Sequence, residues 1–158
     1  MEHYTICPMT AATAPAAAAL ERRALPGEPW SDAAFLAEAA NPRARYRVAL
    51  SPDGEVLGAA GMQGVLGEYS VTTLAVAPEA RRKGLGRALM QAMIAVCREE
   101  SALFLTLEVR ASNAAAIALY RSLGFAAEGR RPNFYQDPRE DALLLTLRFS
   151  PAPETEKS

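Results

Sequence analysis

A short basic stretch with two spaced glycines carries the clearest chemistry in this sequence. Arg81, Arg82 and Lys83 are followed by Gly84-Leu85-Gly86, and an apolar period of helical spacing begins at Leu85. At a helix start the backbone N–H groups have no intrahelical partner, and the helix dipole adds partial positive charge. Glycines let a ligand approach such a backbone closely. The stretch therefore predicts a binding site for an anion.

The glycine spacing excludes the two commonest nucleotide-binding loops. The P-loop pattern G-x-x-x-x-G-K-[ST] is absent, and the dinucleotide fingerprint needs a third glycine where Leu89 stands. The stretch instead resembles the pyrophosphate-binding motif (Q/R)-x-x-G-x-(G/A) of the GCN5-related N-acetyltransferase (GNAT) superfamily, matched here by Arg81, Gly84 and Gly86. In that superfamily the motif holds coenzyme A, so the resemblance implies acetyl-coenzyme A as cosubstrate.

Glu108 is a carboxylate within the apolar run 103–109. Burial of a carboxylate is costly without a role or a partner, and it raises the pKa of such a group toward neutrality, as a general base requires. Two simpler interpretations remain open at this point. Glu108 could form an ion pair with Arg110 or another cation, or strand alternation could point it outward with Thr106.

Tyr120 is the second candidate for chemistry. It lies seven residues after Asn113, two turns along a predicted helix, where a tyrosine is either a functional residue or a core aromatic side chain. The periodicity does not decide between these alternatives.

The elements predicted around these residues form a mixed sheet. Strands are expected at 4–9, 45–50, 55–66, 68–77, 103–109, 125–131 and 142–149. Helices are expected at 13–25, 31–40, 84–100 and from Ser112 or Asn113 to Gly124, and a polar and aromatic loop at 132–141. Strand 103–109 follows a helix and is expected parallel to 68–77, which places two strand ends beside the helix start at Gly84.

These elements predict an α/β (α+β) fold class, with a mostly antiparallel sheet of about six to seven strands flanked by about four helices. With 158 residues, one domain over 1–149 and a disordered tail at 150–158 are expected. The net charge of −1 argues against nucleic acid as a partner, and no long apolar run indicates a membrane.

The cysteine and histidine content limits the chemistry further. Cys7 and Cys97 lack metal-ligand or C-x-x-C spacing, which together with the absence of a signal peptide predicts a cytoplasmic protein with reduced thiols. His3 is the single histidine, so triads that depend on histidine and histidine-rich metal sites are not expected, and no metal is predicted.

A longer resemblance covers nearly all of residues 4–149. The segments PWS at 29–31, RRKGLG at 81–86, LEVRASNAAAIALYRSLGF at 107–125 and RRPNFYQDPREDAL at 130–143 resemble the RimI-type ribosomal-protein-alanine N-acetyltransferases of the GNAT superfamily. The resemblance implies the GNAT fold. It also implies acetyl transfer to the N-terminal α-amine of a protein, preferably at alanine, with a small-subunit ribosomal protein as acceptor.

The resemblance implies roles residue by residue. Glu108 deprotonates the acceptor amine, directly or through water, and Tyr120 protonates the departing thiolate. The residues implied to bind coenzyme A are Leu74, Ala75, Val76, Arg81, Arg82, Lys83, Gly84, Leu85, Gly86, Arg87, Asn113 and Tyr120. Trp30, Phe134 and Tyr135 are implied to line the acceptor groove. Pro132 is a departure, because relatives commonly have no proline in that loop.

The implied mechanism is direct attack of a neutral amine on the acetyl thioester, with no acyl-enzyme. A cysteine nucleophile is disfavoured, because neither cysteine has a histidine to activate it. Within the enzyme class, the alternative is an acetyltransferase acting on lysine or a small-molecule amine. Outside it, the alternative is a non-catalytic acyl-coenzyme A-binding regulator, against which the presence of both Glu108 and Tyr120 argues.

Overall fold

The computed structural model describes residues 3–24, 32–81 and 84–149. Its strands are β1 (Thr5–Pro8), β2 (Ala44–Leu50), β3 (Val56–Val65), β4 (Glu68–Val76), β5 (Phe104–Arg110), β6 (Ala126–Tyr135) and β7 (Glu140–Arg148). Its helices are α1 (Ala14–Ala24), α2 (Asp32–Ala39), α3 (Leu85–Glu99) and α4 (Ala114–Ser122). Within the described residues one sheet has the order β1-β2-β3-β4-β5-β7-β6, with only the β4–β5 pair parallel. The predicted fold class and the parallel placement are confirmed.

Two glycines in β3 make room for tyrosine rings that lie across the strand. A Cβ atom on Gly61 would stand 2.2 Å from Cε2 of Tyr46, and one on Gly64 would stand 2.3 Å from the Tyr69 ring. The Tyr46 hydroxyl lies 3.3 Å from Oγ1 of Thr72 on β4. The glycines therefore let neighbouring strands bring aromatic side chains against β3, so each ring fills the space that a side chain on β3 would need.

The sheet opens between β4 and β5. The register of β3 against β4 moves from Gly61–Thr73 to Met62–Val71, so Thr72 is an extra residue that forms a β-bulge. β4 pairs with β5 only from Glu68 to Ser70, whereas β4 remains on β3 to its end and β5 remains on β7 to its end. The carboxyl-terminal halves of β4 and β5 therefore separate from each other.

Helix α3 packs beneath both halves of the opened sheet. Leu89, Met90 and Met93 are fully buried, in one cluster with side chains from β3, β5 and β7. Burial of each such side chain contributes about 1.5–3 kcal/mol to the free energy of unfolding. A second cluster joins α1 and α2 to β2 and β3. Helix α1 is also tied to β4, because buried Glu21 accepts a 2.7 Å hydrogen bond from the Thr73 hydroxyl.

The prediction of a loop at 132–141 is wrong in part. β6 continues to Tyr135 and β7 begins at Glu140, which leaves only the residues between them as a turn. β6 lies at the edge of the sheet, where a proline is tolerated, and its register shifts between Arg131 and Tyr135. The predicted tail at 150–158 lies outside the described residues. In the described part of the chain, helices fall short of the length and apolar character needed to cross a membrane.

The contact between Gly61 and Tyr46 leads to a stability prediction. Gly61→Ala places a methyl group inside the Tyr46 ring and should lower the free energy of unfolding by about 1–3 kcal/mol through overpacking. Gly129→Ala is the control, because its Cβ atom would meet Leu144 at an ordinary 3.6 Å. Urea titration followed by circular dichroism measures both. Equal midpoints for the two variants would contradict the assigned packing.

Candidate functional site

Two cavities lie along the opening between β4 and β5. The first has a volume of about 410 Å³ and is lined by both separated strands, and the second, of about 390 Å³, extends from β4 to the start of α3. Four residues line both cavities, namely Ala24, Leu74, Asn113 and Tyr120. The two cavities therefore form one continuous groove.

The start of α3 gives the second cavity the features of an anion site. Gly84 is the N-cap residue with a left-handed φ of 82°, and its carbonyl accepts the Ala88 N–H. Among the described residues, a Cβ atom on Gly84 would meet nothing within 4 Å, and one on Gly86 would meet Leu119 alone, at 3.8 Å. The two glycines themselves therefore place no side chain over first-turn amides that have no intrahelical partner. The local geometry fits a phosphate group.

The cationic residues predicted at this site have different surroundings. Arg81 lines the second cavity, with its Nε 3.4 Å from the Val76 carbonyl oxygen. The Arg87 guanidinium donates a 2.9 Å hydrogen bond to the Ser122 hydroxyl on α4. Arg82 and Lys83 lie outside the described residues.

The backbone of β4 presents polar groups to the groove that do not pair with β3. Ala77 N–H donates to the Leu57 carbonyl on β3, at 2.8 Å. Because backbone groups alternate along an antiparallel strand, those of Leu74 and Val76 point away from β3, toward the side that β5 has left. Ala75 lines the same cavity, but its backbone groups face β3. Leu74 and Val76 can thus pair with an extended ligand in the groove.

Glu108 lies on the wall of the first cavity that β5 forms. Its carboxylate Oε2 lies 2.7 Å from Nε of Arg131, and its side chain is 31% exposed. Of the interpretations left open by the sequence, burial does not hold, because strand alternation puts Glu108 on the same face as Thr106. The alternative of an ion pair is confirmed, with Arg131 of β6 as partner instead of Arg110.

Tyr120 lies on α4 where the two cavities meet. It is 7% exposed and packs against Phe125, with 5.7 Å between ring centroids. Burial raises the pKa of Tyr120 to about 12, because the phenolate is poorly solvated there. The hydroxyl therefore remains protonated at neutral pH and can act as a donor. The core interpretation of this residue is confirmed, and its side chain also lines the groove, whereas a functional role stays a prediction.

Asn113 is the N-cap residue of α4, with Oδ1 accepting the Ala116 N–H at 3.1 Å. The cap fixes this helix start at the junction of the cavities. The sequence left Ser112 and Asn113 open as the cap of this helix, and in the structure the cap is Asn113.

Arg110 organises the side of the first cavity that the turn between β6 and β7 forms, a role that the sequence analysis missed. Its guanidinium donates to the carbonyl oxygens of Gln136 and Pro138, both at 3.0 Å, and pairs with Glu140 at 3.4 Å. It also lies 4.4 Å from the centroid of the Tyr135 ring. Arg110 thus holds the turn between β6 and β7 beside the cavity. The available signal was its position two residues after Glu108, on the same face of the strand.

The three residues predicted to line the acceptor groove are placed differently. Tyr135 lines the first cavity together with Asp137 and Pro138 of the turn. Phe134 is not among the lining residues; it is 45% exposed, and its ring centroid lies 5.9 Å from the Arg131 guanidinium. Trp30 lies outside the described residues.

The cysteines are poorly placed for nucleophilic chemistry. Cys97 is fully buried on α3, and burial raises the pKa of its thiol to about 12. Cys7 lies on β1, at the opposite edge of the sheet from β6 and three strands from β4. Among residues 3–24, 32–81 and 84–149, no three potential metal ligands come together.

Two further carboxylates near the groove are committed to structural contacts. The pKa of Glu140 is lowered by hydrogen bonds from Ser112 and by Arg110. The pKa of Asp141 is lowered by the Asn133 N–H and by Arg130. These bonds favour the ionised forms and make both groups weaker bases than an unbonded carboxylate.

Comparison with known proteins gives a consistent family. Residues 15–125 match the model of the acetyltransferase (GNAT) family. The chain is 42% identical over 149 residues to "[Ribosomal protein bS18]-alanine N-acetyltransferase" of Escherichia coli K12, covering 92% of this chain and 98% of that protein. It is 38% identical over 150 residues to "N-alpha-acetyltransferase RimI" of Mycobacterium tuberculosis, with coverage of 91% and 92%.

Solved structures show the same architecture. The crystal structure of the Escherichia coli ribosomal-protein-S18-alanine N-acetyltransferase superposes with a TM-score of 0.90 at 39% identity, covering 99% of this chain and 100% of that one. A GNAT-family acetyltransferase from Elizabethkingia anophelis with acetyl-CoA bound has a TM-score of 0.76 at 22% identity, covering 92% and 98%, and supports the fold alone.

Proposed function

This chain belongs to the acetyltransferase (GNAT) family, and we propose that it transfers the acetyl group of acetyl-coenzyme A to the N-terminal α-amine of a protein, preferably at alanine. The observation that carries the proposal is the continuous groove. One end has an open helix start suited to phosphate, the other has the carboxylate of Glu108, and the Tyr120 hydroxyl lies at the junction. We also propose a ribosomal protein as the acceptor, which the relatives that act on ribosomal protein bS18 support, and a cytoplasmic location.

In the proposed complex the pyrophosphate of the cosubstrate lies on the amides at Gly84 to Gly86. Arg81 and Arg87, and the predicted Arg82 and Lys83, add positive charge. The backbone groups of Leu74 and Val76 that do not pair with β3 accept and donate hydrogen bonds along the pantetheine arm. Leu85, Ala75 and Asn113 shape the groove around that arm. The donor thus contributes the acetyl thioester, and the chain supplies its alignment.

The proposed chemistry is a direct transfer in the first cavity. Glu108 takes a proton from the acceptor ammonium, directly or through water, and the neutral nitrogen attacks the thioester carbonyl. The carbon–sulfur bond then breaks, and Tyr120 donates its hydroxyl proton to the departing thiolate. The attacking nitrogen loses its second proton to give the amide, and that proton passes through water to the Tyr120 oxygen. Arg110 holds the turn that, with Tyr135, forms the acceptor wall.

The protonation energetics favour an α-amine over lysine. An α-amine with a pKa of about 7.7–8.0 is roughly 10–20% neutral at pH 7, whereas a lysine near 10.4 is about 0.04% neutral. The difference corresponds to about 3.5 kcal/mol of additional help with deprotonation. A single, partly exposed carboxylate such as Glu108 is therefore better matched to an N-terminal amine.

Cofactor binding is tested at Gly84. Gly84→Asp adds a carboxylate where the phosphate is expected and should abolish acetyl-coenzyme A binding in isothermal titration calorimetry. Gly54→Asp is a matched control, because Gly54 also has a left-handed φ, 86° against 82°, and also has nothing within 4 Å of its Cβ position. The control carries the same backbone strain and charge outside the groove and should bind normally. Unchanged affinity of a folded Gly84→Asp variant would refute the phosphate site.

The chemistry is tested by two conservative substitutions. Glu108→Gln should lower kcat by about 10²- to 10⁴-fold, and Tyr120→Phe should lower it in the same direction, because each removes one proton transfer. Acetyl-coenzyme A affinity should change little in Glu108→Gln. Steady-state kinetics with a thiol-release assay gives both values. A wild-type rate for Glu108→Gln at neutral pH would show that another group acts as the base.

Acceptor choice is tested with a peptide that begins Ala-Arg and contains lysines further on. We expect one acetyl group, placed on the α-amine by tandem mass spectrometry, and no turnover once that amine is blocked. An acetyl group on lysine, or equal rates with the blocked peptide or with free polyamines, would favour the lysine or small-amine alternative. Tight acetyl-coenzyme A binding without transfer to any amine would favour the regulator.

A further inference from the structure

We propose that Arg131 is a positioning residue that orients the Glu108 carboxylate toward the acceptor amine. The proposal rests on the proposed function, in which Glu108 is the base. Arg131 is on β6, and β7 lies between it and β5. Its Nε lies 2.7 Å from Oε2 of Glu108, in an ion pair.

The strand registers explain how the two side chains meet. Glu108 on β5 is in register with Leu144 on β7, which is in register with Gly129 on β6. Arg131 is in register with Ala142, two residues further along the same face of the sheet. Because Gly129 has no side chain, the position on β6 level with Glu108 is open, and the Arg131 side chain extends diagonally into it. One carboxylate oxygen is thereby fixed, and within the described residues no contact engages the other oxygen, Oε1, which remains for the amine or a bridging water.

Other groups around Glu108 do not supply this restraint. Arg110 donates its hydrogen bonds to the turn at 136–140. Tyr120 is uncharged at neutral pH and so forms no ion pair with Glu108. Asp137, which lines the same cavity, is itself a carboxylate and repels Glu108. Arg131 is held in turn by Phe134, whose ring centroid lies 5.9 Å from its guanidinium. Phe134, which does not line the cavity, thus acts on the site through Arg131.

The exposure of the pair argues for a geometric role. The Arg131 side chain is 57% exposed and that of Glu108 is 31% exposed. Ion pairs at such positions contribute little to the free energy of unfolding, so variants should fold. The orientation of a reacting group, by contrast, affects the rate steeply.

Arg130 provides a closely matched control. Its Nε lies 2.7 Å from Oδ2 of Asp141, its side chain is also 57% exposed, and that of Asp141 is 30% exposed. The neighbouring arginine therefore has the same strand, the same exposure and an ion pair with the same N–O distance, although its contact is also a hydrogen bond. Its carboxylate is not the proposed base.

The test is a double-mutant cycle measured with the Ala-Arg peptide. Arg131→Gln should lower kcat about tenfold, less than the roughly hundredfold cost of an ångström-scale misplacement, with nearly unchanged KM for both substrates. Arg131→Lys should restore part of kcat, and Arg130→Gln should leave it within about twofold. In the Glu108→Gln background, Arg131→Gln should have no further effect, because the carboxylate that it orients is gone.

Several outcomes would overturn the proposal. One is an equal effect of Arg130→Gln and Arg131→Gln on kcat. Another is a further tenfold loss of kcat when Arg131→Gln is added to Glu108→Gln. The others are an Arg131→Gln enzyme with a changed KM for the acceptor and a normal kcat, or one with a higher kcat than the wild type. A slow Glu108→Gln variant beside a normal Arg131→Gln variant would overturn this proposal alone. A wild-type rate for Glu108→Gln would overturn the proposed base as well.

Discussion

The incomplete pairing of β4 with β5 is the constraint on which the rest of the structure depends. Only three residue pairs join the two strands, and beyond Ser70 each strand keeps one neighbour and loses the other. Backbone N–H and C=O groups require partners, so the free edge of β4 at Leu74 and Val76 is a binding surface by default. The opening begins at the bulge that Thr72 forms in β4. The Tyr46 hydroxyl contacts Thr72, and Gly61 leaves room for the Tyr46 ring.

The opening also gives the groove two chemically different ends. The start of α3 and Arg81 make one end electropositive, whereas the other end has the carboxylates of Glu108 and Asp137 together with the guanidinium of Arg110. In the proposed reaction the phosphate-bearing donor binds the first end, and the acceptor amine meets a carboxylate at the second. The reacting atoms would meet near Tyr120, whose burial keeps its proton in place. In the proposed reaction, the same groove aligns both substrates.

The sequence predicted those features that depend on local patterns. Gly84 marked the start of α3, Asn113 was one of two candidate caps for α4, and the helix before β5 indicated a parallel strand. The features it missed depend on contacts between distant segments. The bulge at Thr72 follows from the register of β3 on β4, and the ion pair of Glu108 with Arg131 follows from the register of β6 on β7. The apolar run around Glu108 suggested burial, but the side chain shares a strand face with Thr106 and is 31% exposed. The extension of β6 past Pro132 is possible only at a sheet edge, which local sequence does not reveal.

The short junction between β4 and β5 has a mechanical consequence. Three residue pairs span about 10 Å of strand, so two stiff half-sheets meet along a seam scarcely longer than one turn and a half of helix. A ligand that lies in the groove touches both halves and resists their separation. Because such a ligand binds only the folded chain, it raises the free energy of unfolding by an amount that grows with its free concentration. The stability of this protein should therefore depend on the concentration of the acetyl donor, which would stabilise the sheet as well as react.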